Sequence, residues 1–167
     1  MNDEHRPFVA ELRDYSNECV AAQIEAQLDL CRRAEWVGGL AAWDVAATAT
    51  FRYRCGIWAA EKAWLGFMRR HFPEVRYFYA VEIHPGGHGA HVHALLEYRR
   101  RQRKHAWRVW FERYGRALFS GMRSRRNACA YAAKHLLKQR NCQEDFHWGF
   151  GPQRLFHGEF QTEFKNV

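Results

Sequence analysis

His91, His93, an upstream Glu82 and, on a later lysine-bearing stretch, Tyr131 are the side chains whose types and spacing suit chemistry. The first three fall in RYFYAVEIHPGGHGAHVHALLEY, residues 76–98, which reads with a period of two as a β-hairpin. Its first arm alternates Tyr77, Tyr79, Val81 and Ile83 with Phe78, Ala80, Glu82 and His84. Pro85-Gly86-Gly87-His88-Gly89 supplies turn residues, and the second arm sets His91, His93 and Leu95 on one face. Closure near Gly86-Gly87 puts Glu82 opposite His91, and a two-residue slip puts it opposite His93. Either register gathers the three polar groups on one face. Imidazoles at i and i+2 on a strand stand about 7 Å apart at their roots and can converge on one ion. The carboxylate then completes a three-ligand site with positions open for water or substrate. An HxH pair alone more often marks the wet side of a sheet, so this reading leans on Glu82 and on a second constellation.

That constellation is RNACAYAAKHLLKQR, residues 126–140, which reads as a helix. At 100° per residue, Tyr131, Lys134, His135 and Lys138 share an arc of about 100°. Cys129, Ala132, Ala133, Leu136 and Leu137 are expected to pack on the sheet. Neighbouring positive charge is expected to favour the ionised phenol. Together the two constellations suggest phosphoryl chemistry: a divalent ion polarises a phosphodiester and Tyr131 attacks it to give a covalent phosphotyrosine. A lysine on that edge helps neutralise the phosphoryl charge, and His135 at most assists proton transfer.

The elements that must position these groups follow from the rest of the chain. Residues 7 to about 35 read as an appended helix ended by Gly38-Gly39, with no role assigned. WDVAATATFRYR, 43–54, is expected to be a strand with Thr48, Thr50, Arg52 and Arg54 on one face. GIWAAEKAWLGFMRRHF, 56–72, is an amphipathic helix whose Trp64 and Met68 belong to the core and whose Glu61 is out of place on the apolar stripe. A helix carrying Trp107, Trp110, Phe111 and Tyr114 follows the basic run RRRQRKH, then strands at 116–123 and in DFHWGFG. The expected class is α+β: a β-α-β-β-α-β-α-β order, mainly antiparallel like an RRM or ferredoxin-like palm, with flanking helices. The division is an N-terminal helical extension, 1–38, and one domain, 39–167.

The 167-residue chain carries 26 Lys and Arg against 18 acids, a net charge of +8, and 16% aromatic residues, which favours nucleic acid over a membrane surface as partner. Thr48, Thr50, Arg52, Arg54, Arg100, Arg101, Arg103, Lys104, Arg123, Arg125, Arg126 and Lys138 are the candidate DNA contacts, chiefly to phosphate. Five cysteines without CxxC spacing read as reduced thiols, and MNDEHRPF lacks the apolar core of a signal peptide, so a cytoplasmic setting is expected.

Three segments, in order, resemble the HUH endonucleases, specifically the rolling-circle replication initiators of plasmids and single-stranded DNA phages and viruses. TATFR, 48–52, is similar to the family's first motif, EIHPGGHGAHVHALLEY to its metal-binding hairpin, and AYAAKHLLK to its YxxK nucleophile helix. The likeness covers about residues 43–151. It implies Glu82, His91 and His93 as metal ligands, Tyr131 as nucleophile and Lys134 as its helper. It also implies a 5′-phosphotyrosine intermediate with a free 3′-hydroxyl, at a single-stranded origin with a hairpin, served by a separate helicase and polymerase. Where many phage members carry a second tyrosine, this chain has His135, so one covalent strand per molecule is expected. The mixed donor set suits Mn²⁺ or Mg²⁺. Alternatives are a single-tyrosine HUH transposase, a non-catalytic single-stranded DNA-binding module, and a His₂Glu zinc hydrolase that would leave the tyrosine helix unused.

Overall fold

A computed structural model describes the backbone of residues 6–84, 86–98, 103–139 and 146–152. Arg100, Arg101 and Pro85, and the side chains of Leu136, Leu137 and Lys138, lie outside the described residues. The elements are α1 (Arg6–Gly39), β1 (Val45–Ala49), α2 (Ile57–His71), β2 (Tyr77–Ile83), β3 (Ala90–Leu96), α3 (Arg103–Arg113), β4 (Ala117–Gly121), α4 (Arg125–Gln139) and β5 (Phe146–Gly151). The strands form one sheet in the order β4-β1-β3-β2-β5, with every neighbouring pair antiparallel. The fold is therefore α+β, as the alternation of patterns predicts. Among the described residues, no helix is long and apolar enough to cross a membrane.

The central hairpin takes the first of its two expected registers, with Glu82 opposite His91 and Ala80 opposite His93. Its turn needs glycine where the backbone goes left-handed, at Gly87 (φ 71°) and Gly89 (φ 92°). The His84 N–H donates to the Gly89 carbonyl at 2.9 Å and closes the loop.

Alternation along the strands gives the sheet two unlike faces. Val45, Ala47, Tyr79, Val81, Val92 and Leu96 pack against Trp64, Phe67 and Met68 of α2 and Trp110 of α3. Each large side chain sealed there contributes about 1.5–3 kcal/mol. On the other face Phe78, Leu95 and Ala46 meet Leu30 and Val37 of α1 and Ala128 and Ala132 of α4.

Two expectations need correction. The first strand ends at Ala49 rather than at residue 54. Ladder-like bonds continue from the Thr50 and Arg52 N–H groups to Arg116 and Tyr114, both at 2.8 Å, but Phe51 turns into the aromatic core beside Trp110 and Tyr114. Gly115 (φ 148°) permits this, since a Cβ there would sit 2.8 Å from the Arg52 nitrogen. The N-terminal helix is also more than an appendage, because its last turns are core. Gly38 lies so close to α4 that a Cβ would come within 2.0 Å of Cys129 Sγ.

Candidate metal centre and tyrosine

β2 delivers Glu82 and β3 delivers His91 and His93 to the face that α4 covers. Ser124 starts α4 by accepting the Asn127 N–H at 3.3 Å through its hydroxyl, an N-cap arrangement. From that start, Ala128, Tyr131, Ala132 and His135 turn toward the sheet, spaced three or four residues apart. The small side chains of Ala128 and Ala132 let the helix approach closely, and both are fully buried.

Three imidazoles converge on one carboxylate oxygen. Glu82 Oε1 lies 2.8 Å from His93 Nε2, 3.1 Å from His135 Nδ1 and 3.3 Å from His91 Nε2. Glu82, His91 and His135 are all buried, and the His93 and His135 rings stack with centroids 3.9 Å apart. A carboxylate oxygen has about two lone-pair sites, so three N–H donors overfill it. A cation in the cluster resolves the crowding, because it lets imidazole lone pairs and the carboxylate face the same centre. Two donors about 2.1 Å from an ion at tetrahedral or octahedral angles stand about 3.0–3.4 Å apart, close to the spacings seen here. Glu82, His93 and His135 offer donor atoms within 4.8 Å of one another, and this group can hold a metal ion.

Protonation fits that role. Burial outweighs the attraction of Glu82 and lowers the His93 pKa to about 4, with the His135 and His91 rings pushing the same way. His93 is thus a neutral imidazole near pH 7, the form that ligates metals. Its other nitrogen, Nδ1, lies 3.1 Å from the Tyr131 hydroxyl and 3.2 Å from Thr48 Oγ1. The Tyr131 hydroxyl donates to the Ala47 carbonyl at 2.9 Å, so its oxygen is open to accept an N–H from His93. In that tautomer Nε2 presents a lone pair to the cluster, the arrangement common for metal-bound histidines. In the other tautomer Thr48 donates to Nδ1 and Nε2 donates to Glu82.

Thr48, His91, His93, Glu82, Tyr131 and His135 are therefore brought together, and other sequence candidates are not. Lys134 is exposed on α4 and makes no hydrogen bond or ion pair among the described residues. Without positive charge beside it, burial dominates and pushes the Tyr131 pKa up to about 12. This reverses the expectation that flanking lysine favours the phenolate. The helix has turned its tyrosine and histidine inward and Lys134 outward. Thr50 spends its hydroxyl on the Arg116 carbonyl at 2.9 Å. Arg52 donates to the Phe111 carbonyl and lies 5.4 Å above that ring. Arg54, Lys104, Arg123, Arg125 and Arg126 are exposed, and Arg103 is half-buried.

Sequence reasoning placed His135 only as a proton-transfer aid; its i+4 spacing from Tyr131 was the signal that it shares the buried face. It also left Glu61 unexplained. Glu61 accepts the Tyr79 hydroxyl at 2.7 Å and lies 3.2 Å from His147 Nδ1, so a satisfied polar trio sits on the opposite side of the sheet. No protein-family model, curated protein or solved structure matches this chain.

Proposed function

We propose that the protein is a metal-dependent single-stranded DNA endonuclease and strand transferase of the HUH type, which nicks an origin to initiate rolling-circle replication. The observation that carries this reading is the Tyr131 hydroxyl 3.1 Å from the ring of His93, itself part of the Glu82-His93-His135 group. Tyr131 and the candidate metal centre thus meet over one sheet face. A divalent ion held there, Mn²⁺ or Mg²⁺, would supply Lewis acidity to a phosphodiester and stabilise the phenolate. Tyr131 Oη would attack phosphorus, forming the phosphotyrosine bond as the phosphorus–O3′ bond breaks. The tyrosine proton passes to solvent and the 3′ oxygen takes one from solvent, leaving a 3′-hydroxyl that can reverse the step and rejoin the strand. Lys134, exposed at the rim, is free to meet a substrate phosphate, and the exposed arginines suit the backbone.

A second reading, a non-catalytic single-strand binder, is favoured by the raised pKa of Tyr131, which holds the hydroxyl neutral without a cation. The exposed Trp107 and Phe111 rings, stacked 5.0 Å apart, offer it a base-stacking surface. A single-tyrosine transposase shares the chemistry of the first reading and differs in its DNA. Incubation with a labelled oligonucleotide pool and Mn²⁺ separates enzyme from binder. The nicking reading expects a denaturation-resistant adduct that chelation prevents; binding with no adduct at any metal concentration overturns it.

A further inference from the structure

We propose that His84, His88 and His91 form a second metal site, a three-imidazole centre at the turn of the central hairpin that takes a late first-row divalent cation such as Zn²⁺. The inference rests neither on DNA nicking nor on an ion in the Glu82-His93-His135 group.

The hairpin brings the three rings together. His84 lies two residues past Glu82 and shares its face, and Glu82 pairs with His91, which sets His84 diagonally across from His91. The His84 ring stands 5.5 Å from the His91 ring and 5.3 Å from the His88 ring, centroid to centroid. Gly86 makes room between the two turn histidines. A Cβ there would meet His88 Nε2 at 3.0 Å and His84 Nδ1 at 3.3 Å, so two ring nitrogens converge on the space that glycine leaves open.

The tautomers suit ligation. The Gly86 N–H donates to His84 Nδ1 at 3.1 Å, which keeps that nitrogen unprotonated. His88 is exposed and can take either tautomer. His91 carries a second, independent sign. It is only 7% exposed, yet its Nδ1 is buried with no hydrogen-bond partner among the described residues. Its Nε2 lies 3.3 Å from Glu82 Oε1. With the proton on Nε2 and donated to Glu82, Nδ1 keeps its lone pair for an ion, as metal-bound histidines do when a carboxylate backs them. His91 then meets the Glu82 centre through a hydrogen bond and the turn ion through its other nitrogen.

Among the described residues, Glu82, His93 and His135 are the group whose donors already stand within 4.8 Å of one another, so the turn site closes by rotation of the exposed His84 and His88 rings. An all-imidazole set suits Zn²⁺, Cu²⁺ or Ni²⁺, whereas carboxylate and water suit Mn²⁺, so Mn²⁺ should leave the turn unfilled. Three ligands leave a fourth tetrahedral position for water.

Zn²⁺ binding to the chelator-stripped full chain, counted by equilibrium dialysis and followed through the ring-nitrogen magnetic resonances of the histidines, tests this. Wild type should bind two Zn²⁺, which should shift the Nδ1 resonance of His91 and one ring nitrogen each of His84 and His88. The double variant His84→Ala, His88→Ala should bind one Zn²⁺, with Mn²⁺ binding unchanged. Both replaced side chains are exposed, circular dichroism checks the fold, and the wild-type resonances need no variant. Wild type that binds one Zn²⁺ and loses it in the double variant keeps the turn site and removes the Glu82-His93-His135 centre. A double variant that still binds as many Zn²⁺ as wild type, or a His91 Nδ1 resonance that bound Zn²⁺ leaves unmoved, overturns the turn site and leaves that centre standing. Failure of wild type to bind any Zn²⁺ overturns both.

Discussion

The two faces of the sheet are built from the same strands and behave as opposites. Toward α2 and α3, odd-numbered positions of β2 and even-numbered ones of β3 meet tryptophans and phenylalanines in edge-on pairs, such as Phe67 and Trp110 at 5.1 Å. Toward α1 and α4, the residues between them begin as a small apolar core at Phe78 and Leu95. They end as a buried carboxylate among three imidazoles. Burying charge and imidazole costs free energy unless each group is matched, while burying indole returns it. One face therefore supplies stability, and it supports a second face whose polar groups are held for another purpose.

Breaking the aromatic face should have the largest effect. Trp64→Ala is expected to lose about 3–5 kcal/mol in urea unfolding, because the fully buried ring leaves a cavity against Phe67 and Trp110. Mn²⁺ affinity of the molecules that stay folded should change little. A variant that loses metal binding at full helicity would show the faces to be coupled.

Glu82→Gln should do the reverse. Saturation of wild type with Mn²⁺ at 100 times its dissociation constant should raise stability by about 2.7 kcal/mol, seen as a higher melting temperature. The variant should lose most of this gain, because the amide carries no charge, while its stability in chelator stays close to wild type. An undiminished gain would place the ion elsewhere.

The helix pair that covers the polar face can be probed at Gly38. Gly38→Val forces α1 away from Cys129 and should destabilise by about 1–3 kcal/mol, as overpacking does. Since α1 packs against α4 on the same sheet face, Mn²⁺ affinity should fall as well, a response that Trp64→Ala should not show.

The smallest effect lies on the aromatic face at high pH. Burial, and then its hydrogen bond to Glu61, raises the Tyr79 pKa above the usual tyrosine range. The folded state holds that proton more tightly than the unfolded chain. Its contribution is therefore complete below about pH 10 and fades as pH rises further. Scanning calorimetry from pH 9 to 11.5 should give a shallower alkaline loss for Tyr79→Phe than for wild type.

Most of the fold was legible because the strands alternate strictly and the hairpin carries its own turn glycines. The register was narrowed to two, and either one brought Glu82 onto the face of the histidine strand that carries His91 and His93. The orientation of α4 was not legible. Its face is written in alanines, so Ala128 and Ala132 offer no more contrast with Ala130 than a helical wheel can use. Its inward side is decided by the close approach of Gly38 and by the polar cluster, both products of tertiary packing. The early end of β1 was hidden for a similar reason. The alternation of Thr50 to Arg54 continues in sequence, while Phe51 is claimed by Trp110 and Tyr114, some 60 residues away.

The central claim is that Tyr131 becomes covalently joined to DNA, and mapping the adduct by mass spectrometry tests it most directly. Wild type incubated with Mn²⁺ and a cleavable single strand should yield one DNA-linked peptide, carrying a 5′-phosphate on Tyr131. Tyr131→Phe, which keeps the ring beside His93 and His135, should yield none. An adduct that persists in the Phe variant, or that maps to another tyrosine, contradicts the account.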